Sequence, residues 1–530
     1  MLMMLFCFVS GGVANATRIV HIMRVFHLAS GLKINLHKSK LIGVGVAFEE
    51  VQGVAALIGC NAIQIPFVYL GVPVGGNMNR VASWKPMVDK FVSKLSTWKA
   101  KLLSIGGRLT LIKAVLGSAA IYYMSIYKVP VTVLKLLESI RARFFWGADL
   151  GERKMHWIAW NRILPSLDVG GLGIGSLGAF NNALLFKWKW RFLQHPDALW
   201  VRVVDAIHGS AASQRARNRT LTPWLNIDRA IGVLKEKGID LIDNCSLNVG
   251  DGRKTRFWLD PWIASRPLAE EMPRFFSLET DPGVTVEYRN TVDKIKGAFL
   301  VEPRPGAPTT QWIHLQSLIN NFEFREVPDC YVWELDTSGM FSVASARRHI
   351  DLVLLGDSGV PTRWNTLVPK KINILMWRLT RDRLPTRLNL RDKGIELPSL
   401  LCPGCGFTGE SAAHLFAMCS EFTPLWNKVA VWWGVELPDV ISIHSLVHWA
   451  DHTRLNVHAK KAFDAVVAVV FWSIWNFRNN LIFGSAVPRK DELFDNIRSI
   501  SYFWINNRRK VGRMCWNSWL VALHLISCTL

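Results

Sequence analysis

The sequence predicts an α+β protein that is mostly helical. Three observations support this fold class: long stretches carry apolar residues at helical spacing, the segments with strand character are short, and Cys402–Cys419 has the spacing of a small metal-binding domain. Half of the 530 residues are hydrophobic, which is enough to fill packed cores. A chain of this length is expected to form about three or four domains.

The first 200 residues combine short strands with helices. Helical spacing predicts a helix over Arg18–Ala29, which Ser30-Gly31 ends. Strands are predicted at Leu41–Val46 and Phe67–Val74. The remaining helices are predicted at Val81–Lys128, which Gly106-Gly107 divides, at Val131–Trp146, and after the turn at Gly170-Gly171, through Lys187–Arg191.

The chain is less regular beyond residue 200 until its C-terminal third. A strand is predicted at Thr255–Trp258, and a hairpin is predicted within Tyr331–Ser345, with Asp336–Gly339 as its turn. Ile372–Leu379 begins a helix that leads to the Cys/His segment, and the chain is predicted to be helical after Trp433.

The chain is strongly basic, and the excess lies early. The formal net charge is +22, and residues 1–200 carry 23 Lys and Arg against 8 Asp and Glu, a net +15. A basic surface of this size favours a polyanionic partner, most simply RNA or single-stranded DNA bound without sequence preference. The alternative is a basic protein whose cations are evenly solvated.

The candidates for phosphate contact are cations on the predicted helices. They are Lys99, Lys101, Arg108, Lys113, Lys187, Lys189 and Arg191. Tryptophans among them could stack on bases, but the spacing of Trp157, Trp160, Trp188 and Trp190 favours core positions. A second basic cluster, for which a solvated helix face is the alternative, comprises Arg378, Arg381, Arg383, Arg387 and Arg391.

The nine cysteines are scattered and odd in number, so they do not form a disulfide framework. This pattern predicts a reducing, intracellular location, either the nucleus or the cytoplasm. The apolar Met1–Val9 lacks a preceding Lys or Arg and is short for a signal peptide. Ala465–Trp475 is the stretch nearest to a membrane span, but it is short of the roughly 18 apolar residues needed. We expect it to be a buried helix, and we expect no membrane partner.

Cys402, Cys405, His414 and Cys419 form a C-x2-C-x8-H-x4-C pattern. Three thiolates and one imidazole complete a tetrahedral Zn²⁺ shell, and no position remains for a catalytic water. The predicted metal is therefore structural Zn²⁺. His414 is expected on a helix within Glu410–Met418, with Cys419 just after it. The alternative is a pair of buried free cysteines with a chance His and Cys.

Two other patterns carry weaker signals. Gly173-x-Gly175-x-x-Gly178 matches a dinucleotide fingerprint by letter, but no buried strand precedes it, so chance is the better interpretation. Four aspartates could suggest a ribonuclease H remnant, but they lie on predicted helices without the strands that such a fold needs, and solvated helix faces explain them better. They are Asp451, Asp464, Asp491 and Asp495.

Ten motifs, in order, resemble those of one known family. They are SGLKINLHKSK at Ser30–Lys40, YLGVPVGG at Tyr69–Gly76, FFWG at Phe144–Gly147, HWIAW at His156–Trp160, GGLGI at Gly170–Ile174, NNALLFKWKWR at Asn181–Arg191, VGDGRKTRFWLDPW at Val249–Trp262, GMFSVASA at Gly339–Ala346, WNTLVPKKINILMWRLTRDRLPTR at Trp364–Arg387 and FWSIWNFRNNLIF at Phe471–Phe483. The chain thereby resembles the C-terminal part of a plant LINE-type non-LTR retrotransposon reverse transcriptase, and the Cys/His segment resembles the zinc-binding domain of that family.

The resemblance implies a domain order. It implies a remnant of the palm at 1–75, a basic helical thumb- or connection-like region at 76–200, an irregular linker region with short strands at 201–329, the reverse-transcriptase zinc-binding domain at 330–434 and a helical C-terminal region at 435–530.

The resemblance also bears on catalysis. The family polymerase holds two metal ions with a Tyr-x-Asp-Asp turn upstream of the first motif, whereas no Asp or Glu precedes Glu49 here. We therefore expect a non-catalytic, retrotransposon-derived fragment without polymerase activity that binds zinc and nucleic acid. The alternatives are a zinc-stabilised protein-interaction module and a degenerate retroelement product with no selected function.

Overall fold

A computed structural model describes residues 13–32, 35–43, 45–69, 71–96, 100–116, 121–148, 154–208, 222–263, 266–289, 291–296, 307–357, 359–509 and 514–521. The chain divides into two compact units, Met1–Met87 and Val88–Leu530. Most of the regular structure is helical, and the strands are short, which confirms the mostly helical α+β class.

Within the described part of the first unit, two small strand pairs accompany two α-helices. Its elements are α1 (Val13–Ser30), β1 (Lys40–Leu41), α2 (Phe48–Ile58), β2 (Asn61–Ala62), β3 (Phe67–Tyr69) and β4 (Val72–Val74). β1 and β2 pair in parallel, and β3 pairs antiparallel with β4. α1 extends the predicted helix by a few residues at its start and ends at the predicted Ser30.

Both strands predicted in this unit are wrong in length. Among the described residues of the first segment, only Lys40–Leu41 forms a strand, and the chain bends at Gly45, whose φ is 71°. Phe67–Val74 is a hairpin and not one strand, because Gly71 with a φ of 82° reverses the chain between β3 and β4. Glycine adopts such positive φ values without steric strain.

Basic helices begin at the end of the first unit and continue into the second. Between residues 85 and 236 the described chain forms α3 (Lys85–Ser96), α4 (Ile105–Leu111), α5 (Ile121–Ile126), α6 (Val131–Trp146), α7 (Trp160–Ile163), α8 (Leu177–Gln194), α9 (Leu199–His208) and α10 (Pro223–Glu236). A π-helical turn at Ile112–Leu116 continues α4. α6 begins and ends at the predicted residues, and Gly147 caps it with a φ of 73°.

The paired asparagines of α8 tie α8 to the end of α5. Asn181 is buried, its Nδ2 donates to the carbonyls of Met124 and Tyr127, and its Oδ1 accepts from the Val129 amide. Burial of an asparagine is tolerated because its donor and acceptor both find partners. The start of the NNALLFKWKWR motif therefore serves to pack α8 against the chain at the end of α5.

The middle of the second unit is a small cluster of short elements. They are β5 (Cys245–Asn248), α11 (Leu268–Glu271), α12 (Pro273–Phe276), α13 (Val292–Lys296), α14 (Ala307–Asn320) and β6 (Cys330–Trp333). The turn after β5 wraps around Asp329, whose carboxylate accepts from the amides of Gly250, Gly252, Lys254 and Thr255. The strand predicted at Thr255–Trp258 is reduced to a single bridge between Arg256 and Thr285.

The hairpin predicted within Tyr331–Ser345 is wrong in its second half. β6 pairs antiparallel with the distant β5. The turn at Asp336–Gly339 does form, and the Trp333 amide donates to the Gly339 carbonyl. The chain then enters a helix because Ser342 caps it, accepting from the Ser345 amide at 3.1 Å.

The C-terminal part is built around one long helix. Its elements are α15 (Val343–Leu355), α16 (Lys370–Leu379), α17 (Arg387–Arg391), a π-helical turn at His414–Met418, α18 (Thr423–Trp433), α19 (Ile443–Val447), α20 (Val457–Phe483), α21 (Leu493–Arg508) and α22 (Trp516–Val521). α15 packs on α8, and α16 packs on α4 and α20. The Cys/His segment and α20 thus share a core, and the zinc-type pattern lies within it.

α20 contains the stretch predicted as a buried helix, and it is longer than that stretch. By length and composition it could cross a membrane, since it has 27 residues and an apolar window, but 61% of that window is buried inside the fold. Ala465, Val466 and Phe471 are fully buried. A core helix of a globular protein has these properties.

Candidate metal centre

A tight loop presents the first two cysteines. Leu401 and Gly409 form an antiparallel bridge that closes the loop, and the Cys402 amide donates to the Thr408 carbonyl at 2.6 Å. Gly406 has a φ of 76°, which favours glycine. Gly404 leaves room for Phe422, because a Cβ there would lie 2.8 Å from the ring.

A short helical turn presents His414, and Cys419 follows it. A helix was predicted within Glu410–Met418, and residues His414–Met418 form a π-helical turn there. Cys419 has an extended backbone just past the end of this turn, as predicted. The Ser411 hydroxyl accepts from the His414 amide at 3.0 Å. The loop and the turn face each other, so the two halves of the pattern converge.

The four donor atoms form one cluster. The three Sγ atoms and one imidazole nitrogen all lie within 4.8 Å of one another. Cys402 Sγ is 3.9 Å from Cys419 Sγ, and Cys405 Sγ is 3.3 Å from His414 Nε2. Tetrahedral zinc with ordinary bond lengths separates its donor atoms by about 3.3–3.8 Å. The donor set therefore fits one tetrahedral metal ion.

The electrostatics of the cluster favour thiolate. Hydrogen bonding from Cys419 lowers the pKa of Cys402, and the amides of Cys405 and Gly404 act in the same direction. The same bond, together with burial, raises the pKa of Cys419. The pair therefore holds one thiolate ready, and a metal ion would displace the proton that remains.

A buried ion pair anchors the cluster to α20. Glu410 is fully buried, and its two carboxylate oxygens accept from Arg478 Nε and Nη2, each at 2.6 Å. The Arg387 amide also donates to Glu410. Arg478 donates to the Pro385 carbonyl and packs on Trp475. The pair joins the residues beside the candidate metal ligands to the centre of the core.

Aromatic rings fill the space between the cluster and α20. Phe416, between His414 and Cys419, lies 5.3 Å from Phe471 by ring centroids. Phe422 contacts Phe477, and Trp426 Nε1 donates to the Phe416 carbonyl. The position of the candidate ligands is therefore coupled to the core around α20.

The second basic cluster is mostly engaged within the protein. Arg378 lies over Trp146 and Trp157 and donates to the Arg383 carbonyl, and burial lowers its pKa to about 10. Arg381 donates to the Gly170 and Trp377 carbonyls. The other members have these partners: Arg387 donates to the Leu401 carbonyl, Arg391 pairs with Asp392, and Arg383 donates to the Asp382 carbonyl.

The candidates near α4 differ in exposure. Lys99 lies outside the described residues. Lys101 and Lys113 are exposed, whereas Arg108 is half-buried. A Cβ on Gly147 would lie 1.9 Å from an Arg108 Nη, so this guanidinium occupies the space that the glycine leaves. Burial lowers the pKa of Arg108.

The candidates on α8 divide into two faces. Lys187 and Arg191 are exposed and one helical turn apart. Lys189 is half-buried, pairs with Asp228 at 2.9 Å, and lies over the Trp224 ring. Of the nearby tryptophans only Trp190 is fully in the core, and Trp157, Trp160 and Trp188 are half-buried.

The glycine-rich segment connects helices by its backbone. The Gly170 carbonyl accepts from Trp377 Nε1, the Ile174 carbonyl from Arg347 and the Gly175 carbonyl from Arg141. A Cβ on Gly175 would lie 2.3 Å from the Arg347 guanidinium. Gly175 of the apparent dinucleotide fingerprint therefore serves close packing.

Two of the four C-terminal aspartates share one arginine. Arg363 donates to both carboxylate oxygens of Asp451 and to Asp464, and Asn365 donates to Asp464. Arg363 is the main cause that lowers the pKa of Asp451 to about 2. Asp491 pairs with Arg489, and Asp495 with Arg498.

The sequence interpretation missed cations at the start of α16. Lys370 is exposed and donates to Thr110 Oγ1 on α4 at 3.0 Å, and Lys371 lies over Trp472 and Trp504. Two adjacent lysines before a predicted helix were the available signal. It also missed the Glu410–Arg478 pair, for which no local signal exists because 68 residues separate the partners.

Comparison with known proteins yields one matching family and two relatives. The family described as zinc-binding in reverse transcriptase matches residues 341–426, which include all four candidate ligands. An Arabidopsis thaliana protein named "Putative ribonuclease H protein" is 26% identical over 429 residues, or 77% of this chain and 65% of its own length. The chain thus spans slightly less than two thirds of that relative.

The second relative is shorter. An uncharacterized mitochondrial protein of Arabidopsis thaliana is 32% identical over 148 residues, which are 27% of this chain and 91% of that protein.

Proposed function

Because this chain belongs to the reverse-transcriptase-related proteins of plant retroelements, we propose that it is a non-catalytic retroelement product that binds zinc and single-stranded nucleic acid. One observation carries the proposal: a converged Cys₃His donor set lies inside the matched zinc-binding domain of a chain with a net charge of +22. The proposal concerns these 530 residues and not a longer protein.

The proposed metal is one structural Zn²⁺. Cys402, Cys405, Cys419 and His414 supply the sulfur and nitrogen donors that zinc prefers, and they fill all four positions of a tetrahedral shell. When bound, such an ion contributes folding free energy and no reactive water. Cysteines that form no disulfides are typical of a reducing compartment, which supports the proposed nuclear or cytoplasmic location.

Surface charge supports the proposed nucleic-acid partner. Lys101, Lys113, Lys187 and Arg191 are exposed cations on or beside helices of the second unit. The name of the first relative also refers to a nuclease. Phosphate contacts by lysine and arginine read no base sequence, so we expect RNA and single-stranded DNA to bind without sequence preference.

Binding and its dependence on salt test this part of the proposal. Fluorescence anisotropy with labelled oligouridylate should show an affinity that falls as salt rises, with a log–log slope of roughly −0.7 for each phosphate contact. No binding at low salt, or binding that salt leaves unchanged, would contradict it.

The proposed lack of catalysis is supported by the acidic residues. The sequence contains no Asp-Asp pair, and Asp451 and Asp464 are engaged by Arg363. Two-metal phosphoryl chemistry needs carboxylates that are available to the ions. Primer extension and RNA cleavage assays with Mg²⁺ and Mn²⁺ should both be negative, and metal-dependent activity of the purified protein would overturn this part.

One observation favours the alternative of a zinc-stabilised interaction module. Phe407 and Met418, on the two halves of the Cys/His segment, are 87% and 62% exposed. Exposed apolar side chains on both halves of one small segment suit a protein partner. If the protein binds no nucleic acid, and Phe407→Ser and Met418→Ser abolish association with another protein, this alternative is the better one.

A further inference from the structure

A groove opens between α4 and the start of α16. Its volume is about 590 Å³, and its lining includes Ser104, Gly107, Thr110, Trp364, Lys370 and Arg508. The lining combines residues from the basic helical region, from the zinc-binding domain and from the end of α21. All of them belong to the second compact unit.

Gly106 explains how the groove forms. A Cβ on Gly106 would lie 2.8 Å from the Lys371 amide nitrogen and 3.1 Å from Lys370 Cβ. The absent side chain lets the backbone of α16 approach α4. Lys371 then turns toward Trp472 and Trp504, whereas Lys370 and Arg508 remain exposed at the groove.

The groove is positively charged without a compensating carboxylate. Lys370 Nζ donates to Thr110, and Lys113 lies one helical turn beyond Thr110. Desolvation by burial is the main cause that lowers the pKa of Lys113, and the charges of Lys370 and Arg347 lower it further. Among the described residues, no Asp or Glu lines the groove or forms an ion pair with Lys113, Lys370 or Arg508. Like charges held together are unfavourable, and a bound polyanion would relieve this repulsion.

We propose that this groove holds the phosphodiester backbone of a single-stranded nucleic acid, with Lys370 and Arg508 of its lining as phosphate contacts and Lys113, which lies beyond the lining next to Thr110 on the same helical segment, as a third. Trp364 is half-buried in the lining and offers a ring on which a base can stack. The inference rests on the proposed function and goes further, because it assigns binding to the junction of α4 and α16. Two of the three contacts, Lys370 and Arg508, lie outside the basic N-terminal residues.

The test compares two triple variants of the full chain. One carries Lys113→Ala, Lys370→Ala and Arg508→Ala. The matched control carries Lys235→Ala, Arg253→Ala and Arg489→Ala, which removes the same charge from exposed cations that pair with Asp240, Glu287 and Asp491. Anisotropy is measured with labelled oligouridylate and oligothymidylate over a range of salt concentrations.

The groove variant should bind both probes about tenfold or more weakly at low salt, and its log–log slope should shrink by about 2, because three contacts are lost. The control should keep an affinity near that of the wild-type protein. The wild-type affinities for oligouridylate and oligothymidylate are also compared. If one probe binds much more tightly, it identifies RNA or DNA as the preferred nucleic acid, and the groove proposal is compatible with both.

The outcomes separate the two proposals. If the wild-type protein binds neither probe, the proposed function fails. If it binds and the groove variant keeps its slope, or if both triple variants weaken equally, the groove is overturned while nucleic-acid binding stands. Crosslinking of 4-thiouridine-substituted RNA to the unaltered protein is independent of variant stability: crosslinks should map to residues 104–113 or 364–371, and crosslinks confined to other peptides overturn the groove.

Discussion

The Cys/His segment and the basic helices of the second unit differ in how far their roles depend on distant residues. Cys402 and Cys419 are only 17 residues apart, and the loop and turn that join them fix the donor cluster. The basic helices instead place similar side chains in different surroundings: Lys187 is exposed, Lys189 pairs with Asp228, and Arg108 fills space beside Gly147. Local structure determines the geometry of donor residues that are close in sequence. The surroundings of a charged side chain depend instead on which distant residues pack against it.

The largest expected effect is loss of the metal. Cys405→Ser removes one of four ligands, and structural zinc in small modules contributes on the order of 10 kcal/mol of apparent binding free energy. We expect loss of zinc, as measured by elemental analysis, and unfolding near residues 400–425, as measured by hydrogen exchange. The control is Cys330→Ser, because Cys330 is exposed and outside the cluster.

Full zinc content in Cys405→Ser, or no zinc in the wild-type protein purified under reducing conditions, would show that the Cys/His segment is not a zinc site of these four residues. Reduced zinc content in Cys330→Ser would mean that thiols in general hold the metal.

The next effect concerns the anchor of the Cys/His segment. Glu410→Gln leaves the buried Arg478 guanidinium without its carboxylate, and breaking a buried pair costs about 3–5 kcal/mol. The matched control is Glu421→Gln, whose partner Lys490 is exposed, and surface pairs contribute about 1 kcal/mol or less. Denaturant unfolding measures both. Equal losses in the two variants would show that the Cys/His segment does not depend on this long-range pair.

The features that the sequence predicted correctly are those that depend on residues close together in the chain. The bounds of α6 and the four clustered donor residues were predicted residue by residue, since helical periodicity and the spacing of the Cys/His pattern are local signals. The second arm of the hairpin failed because β6 finds its partner in β5, some 80 residues earlier, and because the capping role of Ser342 was not recognised. The Glu410–Arg478 pair and the groove at Lys370 require tertiary contacts that no sequence window contains.

A smaller effect is expected at the two faces of α8. Lys187→Ala with Arg191→Ala removes two exposed cations, so affinity for single-stranded RNA should fall by about tenfold at low salt, and the log–log slope should shrink by about 1.4. Lys189→Ala should change affinity little, because Asp228 already compensates this charge. Anisotropy titrations measure both variants. A larger loss in Lys189→Ala than in the double variant would mean that exposure in this fold does not identify the contacting cations.

The smallest effect is the pH dependence of the Arg363 network. The folded-state pKa of Asp451 is about 2, below the ordinary value of 3.8, so its stabilising contribution is present above about pH 4 and is lost as pH falls toward 2. Because Asp451 is half-exposed and Arg363 keeps Asp464, we expect Asp451→Asn to cost about 1 kcal/mol or less at pH 7. Asp439→Asn is the control, since Asp439 is exposed and has no ion pair among the described residues. Denaturant unfolding at pH 7 and near pH 3 should show a smaller difference between the two pH values in Asp451→Asn than in the wild-type protein. If the variant and the wild-type protein lose stability equally on acidification, this ion pair stabilises the fold no more than a solvated carboxylate would. The long-range ion pairs of the C-terminal region would then contribute as little to stability as the solvated cations of the basic helices.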